Sequence, residues 1–376
     1  MQKSRSGKII KAGILLIVIF LFVEGFLGIF IYQKTGTERF ASIELLKSIR
    51  KKLLPAQLTL DITSHTLTRP DSTETVNRTI AEETVKSNQF VYESWVEFRN
   101  IDFDGKYLHM SGQVRKSSPA AYFSPASDDT LDIYFLGGST TFGFNVTDEE
   151  TIPSQFVQLY KEKFPRGKSI RVYNYAVPTY YSYQELMLLS DLIYKNHTPD
   201  IVVFLDGIND FWFVKSSYYG QSYFSFIFRQ LFDRGVSAKG DFRFVDTADV
   251  MWKDPVGVAP AVYYNSVIGN YINNMKNSRM MADIIGAQTY FFCQPAPFYN
   301  YPNQQKDPIC FKDTNTRFDY IYATLEKKAD SLPNFTFLGN MLQNETGYPF
   351  IDGLHYSPGF TRKIAEQILF RMEKEF

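Results

Sequence analysis

The segment that most constrains the fold of this chain is residues 131–143, LDIYFLGGSTTFG. Its first six residues are apolar or β-branched at nearly every position, which predicts a strand covered on both faces, as in a parallel sheet. The two glycines that follow permit a sharp turn and a close approach of neighbouring groups. Ser139 is therefore expected at the carboxyl end of a buried strand, where open α/β sheets place their sites. An ordinary turn with a capping serine is the alternative interpretation.

After Ser139, strand-like and helix-like patterns alternate along the chain. This alternation indicates an α/β fold, with a parallel sheet that carries helices on both faces. The domain built in this way is placed at residues 128–376, with an aromatic-rich insert at 211–260. The further predicted strands are residues 170–174, 201–205, 289–292 and 335–338, and the predicted helices lie within 152–164, 186–193, 262–285, 318–329 and 360–372.

Residues 12–32 are almost wholly apolar and predict a transmembrane helix. At about 1.5 Å per residue the run spans roughly 30 Å, which is the thickness of the hydrocarbon core of a bilayer. Residues 1–11 carry an excess of lysine and arginine, which predicts a cytoplasmic tail there and an extracytoplasmic location, periplasmic or at the cell surface, for the rest. A cleaved signal peptide is the alternative, but its apolar region is normally about 7–15 residues long and precedes a small-residue cleavage site.

Residues 33–127 are predicted to form a linker and a small β-rich preamble. The part at 61–86 is rich in threonine, serine and charge, and is expected to be an exposed spacer. Residues 90–96 and 107–114 read as strands on either side of a turn near Asp104 and Gly105.

Two classes of partner are disfavoured by the composition. The chain has 40 basic and 40 acidic side chains, so it has no excess of cations to neutralise the phosphates of a nucleic acid. Its acidic residues and histidines show no cluster with metal-ligand spacing, and neither a metal nor another cofactor is expected.

Polar, turn-forming segments gather where the predicted strands end. They include GGST at 137–140, GIND at 207–210 and DGLHYSP at 352–358. In their order and spacing these three motifs resemble blocks one, three and five of a known family, the SGNH (GDSL-like) hydrolases. Residues 174–182, NYAVPTYYS, resemble block two, with Ala176 where the family has a glycine. The resemblance runs from about residue 131 to the C-terminus. It implies a flavodoxin-like three-layer α/β/α sandwich with a five-stranded parallel sheet.

The resemblance also implies a catalytic set. Ser139 would be the nucleophile, His355 the base that takes its proton, and Asp352 the carboxylate that orients the imidazole and stabilises its charged form. An oxyanion would be held by the backbone N–H groups of Ser139 and Ala176 and by the Asn209 amide. The residues expected to support these groups are Gly138, Gly207 and Asp210.

Two further features remain with alternatives. An extracytoplasmic chain with two cysteines predicts a Cys293–Cys310 disulfide, and two buried free thiols are the alternative. The aromatic insert is either an extension of the core, a groove for a glycan, or a contact for lipid or a partner. Five N-x-[ST] sequons occur, at Asn77, Asn145, Asn196, Asn334 and Asn344.

Together these features predict a membrane-anchored serine esterase that removes O-acyl groups, O-acetyl foremost, from a surface glycan through an acyl-enzyme. An O-acyltransferase that passes the acyl group to a sugar hydroxyl is the main alternative, because it uses the same residues. A lipase- or thioesterase-like hydrolase and a non-catalytic SGNH-like binding module are also kept. The oligomeric state is open.

Overall fold

In the computed structural model of the protein, residues 73–127, 129–212, 260–312 and 316–376 are described. The predicted transmembrane helix at 12–32, the basic tail before it and nearly all of the aromatic insert lie outside these ranges. Within the described ranges, no helix combines the length and the apolar character that a membrane crossing requires.

The described chain alternates strands and helices after a region of short strands. Short 3-10 turns lie at Asp148–Glu150, Ala329–Ser331, Gly339–Leu342 and Glu373–Glu375. The strands are β1 (Phe90–Glu93), β2 (Glu97–Asn100), β3 (Phe103–Asp104), β4 (His109–Ser111), β5 (Val114–Arg115), β6 (Ala121–Tyr122), β7 (Thr130–Gly137), β8 (Ser169–Asn174), β9 (Ile201–Asp206), β10 (Gln288–Cys293) and β11 (Phe335–Phe337). The helices are α1 (Glu74–Ser87), α2 (Ser139–Phe142), α3 (Ile152–Lys163), α4 (Ser182–Tyr194), α5 (Ile208–Trp212), α6 (Pro260–Ile284), α7 (Thr316–Lys328) and α8 (Pro358–Met372).

The main sheet is mixed. Its strands β8, β7, β9, β10 and β11 lie side by side in that order, and each neighbouring pair is parallel. Beyond β8 the sheet continues with β5, β4 and β3, and β6 also pairs with β8; all of these pairings are antiparallel. In the described residues the sheet therefore has nine strands, where the resemblance implied a purely parallel sheet of five.

The expectation that residues 90–96 and 107–114 are strands on either side of one turn needs correction. The segment at 90–96 does not pair with the segment at 107–114. Instead β1 turns back at once onto β2, through Trp95 and Glu97, which both have positive φ. The second predicted strand divides into β4 and β5, which belong to the main sheet. Strands of two to four residues carry too little periodicity for their partners to be read from the sequence.

The sheet separates two apolar cores. On β7, the side chains of Ile133 and Phe135 pack toward α3 and α8, whereas those of Tyr134 and Leu136 pack toward α4, α6 and α7. Successive strand residues point to opposite faces, so a strand covered on both sides must be apolar throughout. The observed layers are helix, sheet and helix, and they account for the apolar run at 131–136.

Parallel register places the ends of the central strands together. Gly137 of β7 pairs with Leu205 of β9, and Cys293 of β10 pairs with Asp206. The segments that follow these strands therefore emerge side by side at the carboxyl edge of the sheet. Each carries polar residues that the sequence marked as functional.

A pair of buried carboxyl groups lies below this edge. Glu185 of α4 and Asp206 of β9 are almost completely buried, and the Tyr271 hydroxyl donates a hydrogen bond to Asp206 Oδ1. Burial raises the pKa of Asp206 to about 6. Burial, with the neighbouring charge of Asp206, raises the pKa of Glu185 well above its ordinary value. The folded protein thus binds more protons than the unfolded chain above about pH 4, and this contribution to stability is lost as the pH rises through the folded pKa values.

We predict that Glu185→Gln weakens this dependence of stability on pH. The glutamine supplies an N–H donor to Asp206 and removes the group with the raised pKa. The Tm of the variant relative to that of wild type should therefore rise by about 2–5 °C when the pH is raised from 5 to 8. Thermal unfolding at both pH values measures the gain. Glu366→Gln, at an exposed position of α8, is the control and should show none. Identical changes of Tm with pH in Glu185→Gln and wild type would contradict the prediction.

Candidate active site

Ser139 is the first residue of α2, directly beyond the end of β7. The two glycines before it are required by close packing. A Cβ at Gly137 would lie 2.5 Å from the carbonyl oxygen of Leu205, and a Cβ at Gly138 would lie 2.5 Å from Asn209 Nδ2. Both distances are far below van der Waals contact, so a Cβ at Gly137 would collide with the backbone and a Cβ at Gly138 would have to displace the Asn209 amide. The result is that the Asn209 amide lies against the turn that carries Ser139.

The side chains of Ser139, His355 and Asp352 form a continuous chain of contacts. Ser139 Oγ lies 2.8 Å from His355 Nε2, although the two residues are 216 positions apart. His355 Nδ1 lies 2.8 Å from Asp352 Oδ2 and 3.0 Å from Oδ1. With the proton on Nδ1, Nε2 is free to accept the serine proton, which is the tautomer that a general base needs.

The Asp352 carboxylate is buried and well supplied with hydrogen-bond donors. Oδ1 accepts the backbone N–H of Leu354 at 2.9 Å and that of His355 at 2.8 Å, and Oδ2 accepts Asn145 Nδ2 at 2.6 Å. Burial acts to raise the pKa of Asp352, but the charge of His355 and the hydrogen bonds from His355 and Leu354 lower it by more. The net pKa lies below its ordinary value, so the carboxylate stays ionised beside the imidazole.

The loop that carries His355 is fixed by contacts on several sides. Phe144 stacks on the imidazole, with ring centroids 4.6 Å apart and an angle of 26° between the planes. The His355 carbonyl accepts the N–H of Ile351 at 2.8 Å, and the Tyr356 hydroxyl donates to the carbonyl of Pro295 at 2.6 Å. Helix α8 begins directly afterwards with a proline in its first turn, where the missing N–H costs nothing. The imidazole is therefore held in one orientation.

The segment after β9 places an amide beside the nucleophile. Gly207 has φ +115°, a conformation that favours glycine. Asn209 Nδ2 donates one N–H to the carbonyl of Tyr180 at 2.7 Å, which leaves its second N–H. Asp210 is fully buried and accepts the N–H of Ser182, 3.2 Å away, at the start of α4. Asp210 thus ties this loop to the segment that follows β8.

The structure does not support Ala176 as an oxyanion donor. Its N–H donates to the side-chain oxygen of Asn174 at 3.2 Å, because the asparagine folds back over the turn that follows β8. The residue of this segment with a left-handed backbone is Thr179, at φ +74°. Among the described residues, the Thr179 N–H donates no backbone hydrogen bond.

The predicted disulfide is wrong, because Cys293 and Cys310 are both free and buried. The reason lies in the sheet, since Cys293 belongs to the core on the side of α6 and α7 and Cys310 to the core on the side of α3 and α8. Burial raises the pKa of the Cys310 thiol to about 11 and that of Cys293 well above its usual range. Neither thiol is poised to react.

The structure adds contacts that the sequence did not indicate. Phe144 stacks on the His355 ring, and Asn145 donates to the Asp352 carboxylate. Thr140 donates to Gln294 Oε1 at 2.8 Å. Asn145 was visible only as a sequon, and with 1% of its surface exposed it is no glycosylation acceptor in the folded protein. Spacing along the chain carries no signal for such contacts. In the part of the chain that the structure describes, no group of three or more His, Cys, Asp or Glu side chains is arranged to hold a metal ion.

Comparison with known proteins identifies the family. A sequence model of the GDSL-like Lipase/Acylhydrolase family matches residues 133–368, which is more than half of the 376 residues. The chain therefore belongs to the GDSL-like lipase/acylhydrolase family, whose members are also called SGNH hydrolases. Membership, together with the contact chain from Ser139 to Asp352, makes the protein an ester-hydrolysing enzyme.

Solved structures of similar fold include TesA, which is 14% identical with a TM-score of 0.38 over 65% of this chain and 99% of TesA. The acetyl xylan esterase AlAXEase is 14% identical with a TM-score of 0.40 over 64% of this chain and 98% of its own. A catalytic mutant of Axe2, an acetylxylan esterase from Geobacillus stearothermophilus, is 17% identical with a TM-score of 0.38 over 67% and 95%. A search of curated proteins found no match. These likenesses concern the fold alone.

We predict that Gly138→Ala displaces the Asn209 amide and lowers kcat by about 10²–10³, as loss of an oxyanion donor does, with little change in KM. Initial rates on p-nitrophenyl acetate measure both constants. Gly359→Ala is the matched control, because a Cβ there meets no atom within 4 Å. A Gly138→Ala enzyme with near-normal kcat would show that the amide has no part in the reaction.

Proposed function

We propose that the protein is a membrane-anchored, extracytoplasmic serine esterase that removes O-acyl groups, O-acetyl foremost, from a surface glycan. The observation that carries the chemistry is the unbroken chain from Ser139 Oγ through His355 to the Asp352 carboxylate. The anchor and the outward orientation are supported by the apolar run at 12–32 and by the basic residues before it.

The reaction proceeds in two halves. His355 Nε2 takes the proton of Ser139 as Oγ attacks the acyl carbonyl, and Asp352 stabilises the imidazolium that forms. The tetrahedral intermediate then collapses, and His355 gives its proton to the departing sugar oxygen, which leaves the acyl group on Ser139. In the second half, His355 takes a proton from water as the water oxygen attacks the acyl carbonyl, and it then gives this proton to Ser139 Oγ as the ester bond breaks and the free carboxylic acid leaves.

The oxyanion is proposed to be held by three donors. They are the backbone N–H of Ser139, the second N–H of the Asn209 amide, and the backbone N–H of Thr179 in place of that of Ala176. The positive φ of Thr179 and its N–H, which donates no backbone hydrogen bond among the described residues, support this choice. Such donors act on charge that develops only in the transition state.

A glycan is proposed as the carrier of the acyl group because of the residues between Asp210 and Pro260. This insert follows the Asn209 loop directly and is dense in tyrosine and phenylalanine. Aromatic rings with a polar tip suit the faces and hydroxyl groups of sugars. The insert lies outside the described residues apart from its first and last positions, so this part of the proposal is argued from the sequence.

The proposal is tested with the full-length protein in detergent. We expect release of acetate from p-nitrophenyl acetate and from an acetylated polysaccharide, and a loss of at least about 10³-fold in Ser139→Ala. Ser331→Ala, in the 3-10 turn after α7, is the control and should keep full activity. Turnover of neither substrate by the folded protein would sink the esterase proposal. Acetate transfer to an added oligosaccharide in excess of hydrolysis would favour an acyltransferase.

We predict that the pH profile of kcat/KM has one acidic limb, which belongs to His355, because a protonated imidazole cannot accept the serine proton. Since the pKa of Asp352 is lowered, the carboxylate stays ionised and adds no second limb above about pH 4.

Asp352→Asn should lower kcat by about 10⁴, because the imidazole can then adopt the wrong tautomer. Rates from pH 4 to 9 on both enzymes, with folding followed by circular dichroism, provide the check. A folded Asp352→Asn enzyme of normal activity would remove Asp352 from the mechanism.

A further inference from the structure

The loop after α2 reaches the Asp352 carboxylate from outside the family motifs. Its residue Asn145 is buried and donates from Nδ2 to Asp352 Oδ2 at 2.6 Å. The same oxygen contacts His355 Nδ1 at 2.8 Å. A side chain 207 positions away along the chain therefore shares the oxygen atom that faces the catalytic imidazole.

The two oxygens of the carboxylate are held in different ways. Oδ1 accepts the main-chain N–H groups of Leu354 and His355, which belong to the same short turn as Asp352. These donors move with the aspartate and cannot fix it relative to the rest of the site. Asn145 comes from a separate segment, so its amide is the external constraint on the rotation of the carboxylate. The ionised carboxylate in turn requires that the Asn145 nitrogen, and not its oxygen, faces Oδ2.

The conformation of Asn145 is specialised for this contact. Its φ is +64°, in the left-handed region, which asparagine tolerates better than most residues other than glycine. On one side the N–H of Phe144 donates to the carbonyl of Ser139 at 3.0 Å. On the other side Arg115 donates to the carbonyl of Val146 at 3.0 Å. The loop is thus attached to the nucleophile turn and to β5.

The titratable groups beside the loop contact one another. Arg115 lies 3.1 Å from Asp148 Oδ1, and His109 Nδ1 lies 2.6 Å from Asp148 Oδ2. The Asn145 amide is the hydrogen bond by which this loop reaches the Asp352 carboxylate, beside the stacking of Phe144 on His355 and the packing of Val146 against Ile351.

We propose that Asn145 is a positioning residue of the reaction. Its amide fixes the orientation of the Asp352 carboxylate, and through it the tautomer and the direction of the His355 ring. This inference rests on the proposed esterase function for its kinetic test, and it extends the catalytic set to a residue with no place in the family motifs.

The test compares Asn145→Gly with Asn145→Asp in the full-length protein. Glycine keeps the left-handed backbone and removes the amide, so kcat on p-nitrophenyl acetate should fall about 10–100-fold, with KM within about twofold of wild type. Aspartate keeps the shape but places a second carboxylate beside Asp352. This change should move the acidic limb of kcat/KM to higher pH, because the added charge favours the imidazolium.

Asn334 provides the matched controls. It also has a positive φ, of +53°, and its amide donates to the carbonyl of Thr289 at 3.0 Å, on β10. Asn334→Gly and Asn334→Asp should leave kcat and the pH profile as in wild type. A change of the same size in these variants would reduce the Asn145 effect to general destabilisation and overturn the inference.

A measurement without turnover separates this inference from the proposed function. The proton between His355 Nδ1 and Asp352 gives a low-field resonance in proton NMR, and we expect it to shift in Asn145→Gly and to stay in place in Asn334→Gly. If wild type turns over no ester and the resonance still shifts, the function fails and the positioning role stands. An Asn145→Gly protein with normal kcat and an unshifted resonance overturns the role. If Asn145→Gly does not fold, the pH profile of Asn145→Asp decides, and an unmoved acidic limb overturns it.

Discussion

The geometry of the site at the carboxyl edge of the sheet depends on the two glycines at the end of β7. Gly137 packs against the carbonyl of Leu205, and Gly138 packs against the Asn209 amide, at distances that leave no space for a Cβ. Any larger residue would push apart the ends of two strands that are hydrogen-bonded in parallel register. Because both positions are glycine, the turn that carries Ser139 and the loop after β9 are in direct contact. The need for glycine at both positions thereby sets the distance and orientation between Ser139 and the Asn209 amide.

The protein buries carboxyl groups in two places, with opposite outcomes. At Asp352 the effect of burial is outweighed by the charge of His355 and by the hydrogen bonds from His355 and Leu354, so the pKa of the carboxyl group is lowered. At the Asp206 site burial dominates, since the partners are a tyrosine hydroxyl and a second carboxyl group, and the pKa is raised. Burial alone disfavours the charged form, and a neighbouring opposite charge together with hydrogen-bond donors decides whether the carboxyl group stays ionised. The carboxylate that stays ionised is the one beside the His355 imidazole.

Much of the α/β architecture was predictable because its signal is periodic. A strand covered on both faces must be apolar throughout, and β7 shows that pattern in its sequence. Ser139, Asp352 and His355 stand in motifs with fixed spacing, and the fold brings them into contact. The pairing of β3 to β6 with the main sheet was not predictable, because strands of two or three residues have no measurable period. The absence of a Cys293–Cys310 disulfide was not predictable either, because the face of the sheet on which each cysteine lies depends on the tertiary structure.

In the block-two segment the motif and the backbone conformation point to different residues. The resemblance has Ala176 where the family has a glycine. In the structure the Asn174 side chain takes the N–H of Ala176, and the left-handed conformation occurs at Thr179. Backbone conformation, and not position in the motif, identifies where a glycine would be favoured. A threonine there is strained, and such strain persists only where the surrounding structure enforces it.

The short strands before β7 have a structural role that the sequence did not reveal. A parallel sheet ending in β8 would leave an exposed edge, and β5 and β6 cover it by antiparallel pairing. This pairing brings the N-terminal region to the carboxyl end of β8, where the site lies. Arg115 of β5 donates a hydrogen bond to the carbonyl of Val146. The Tyr180 hydroxyl donates to the carbonyl of Val96 at 3.1 Å, and the Tyr180 carbonyl accepts a hydrogen bond from the Asn209 amide. Strand β5 of the sheet edge therefore supports the loop beside Asp352, and the turn between β1 and β2 supports, through Tyr180, the amide beside Ser139.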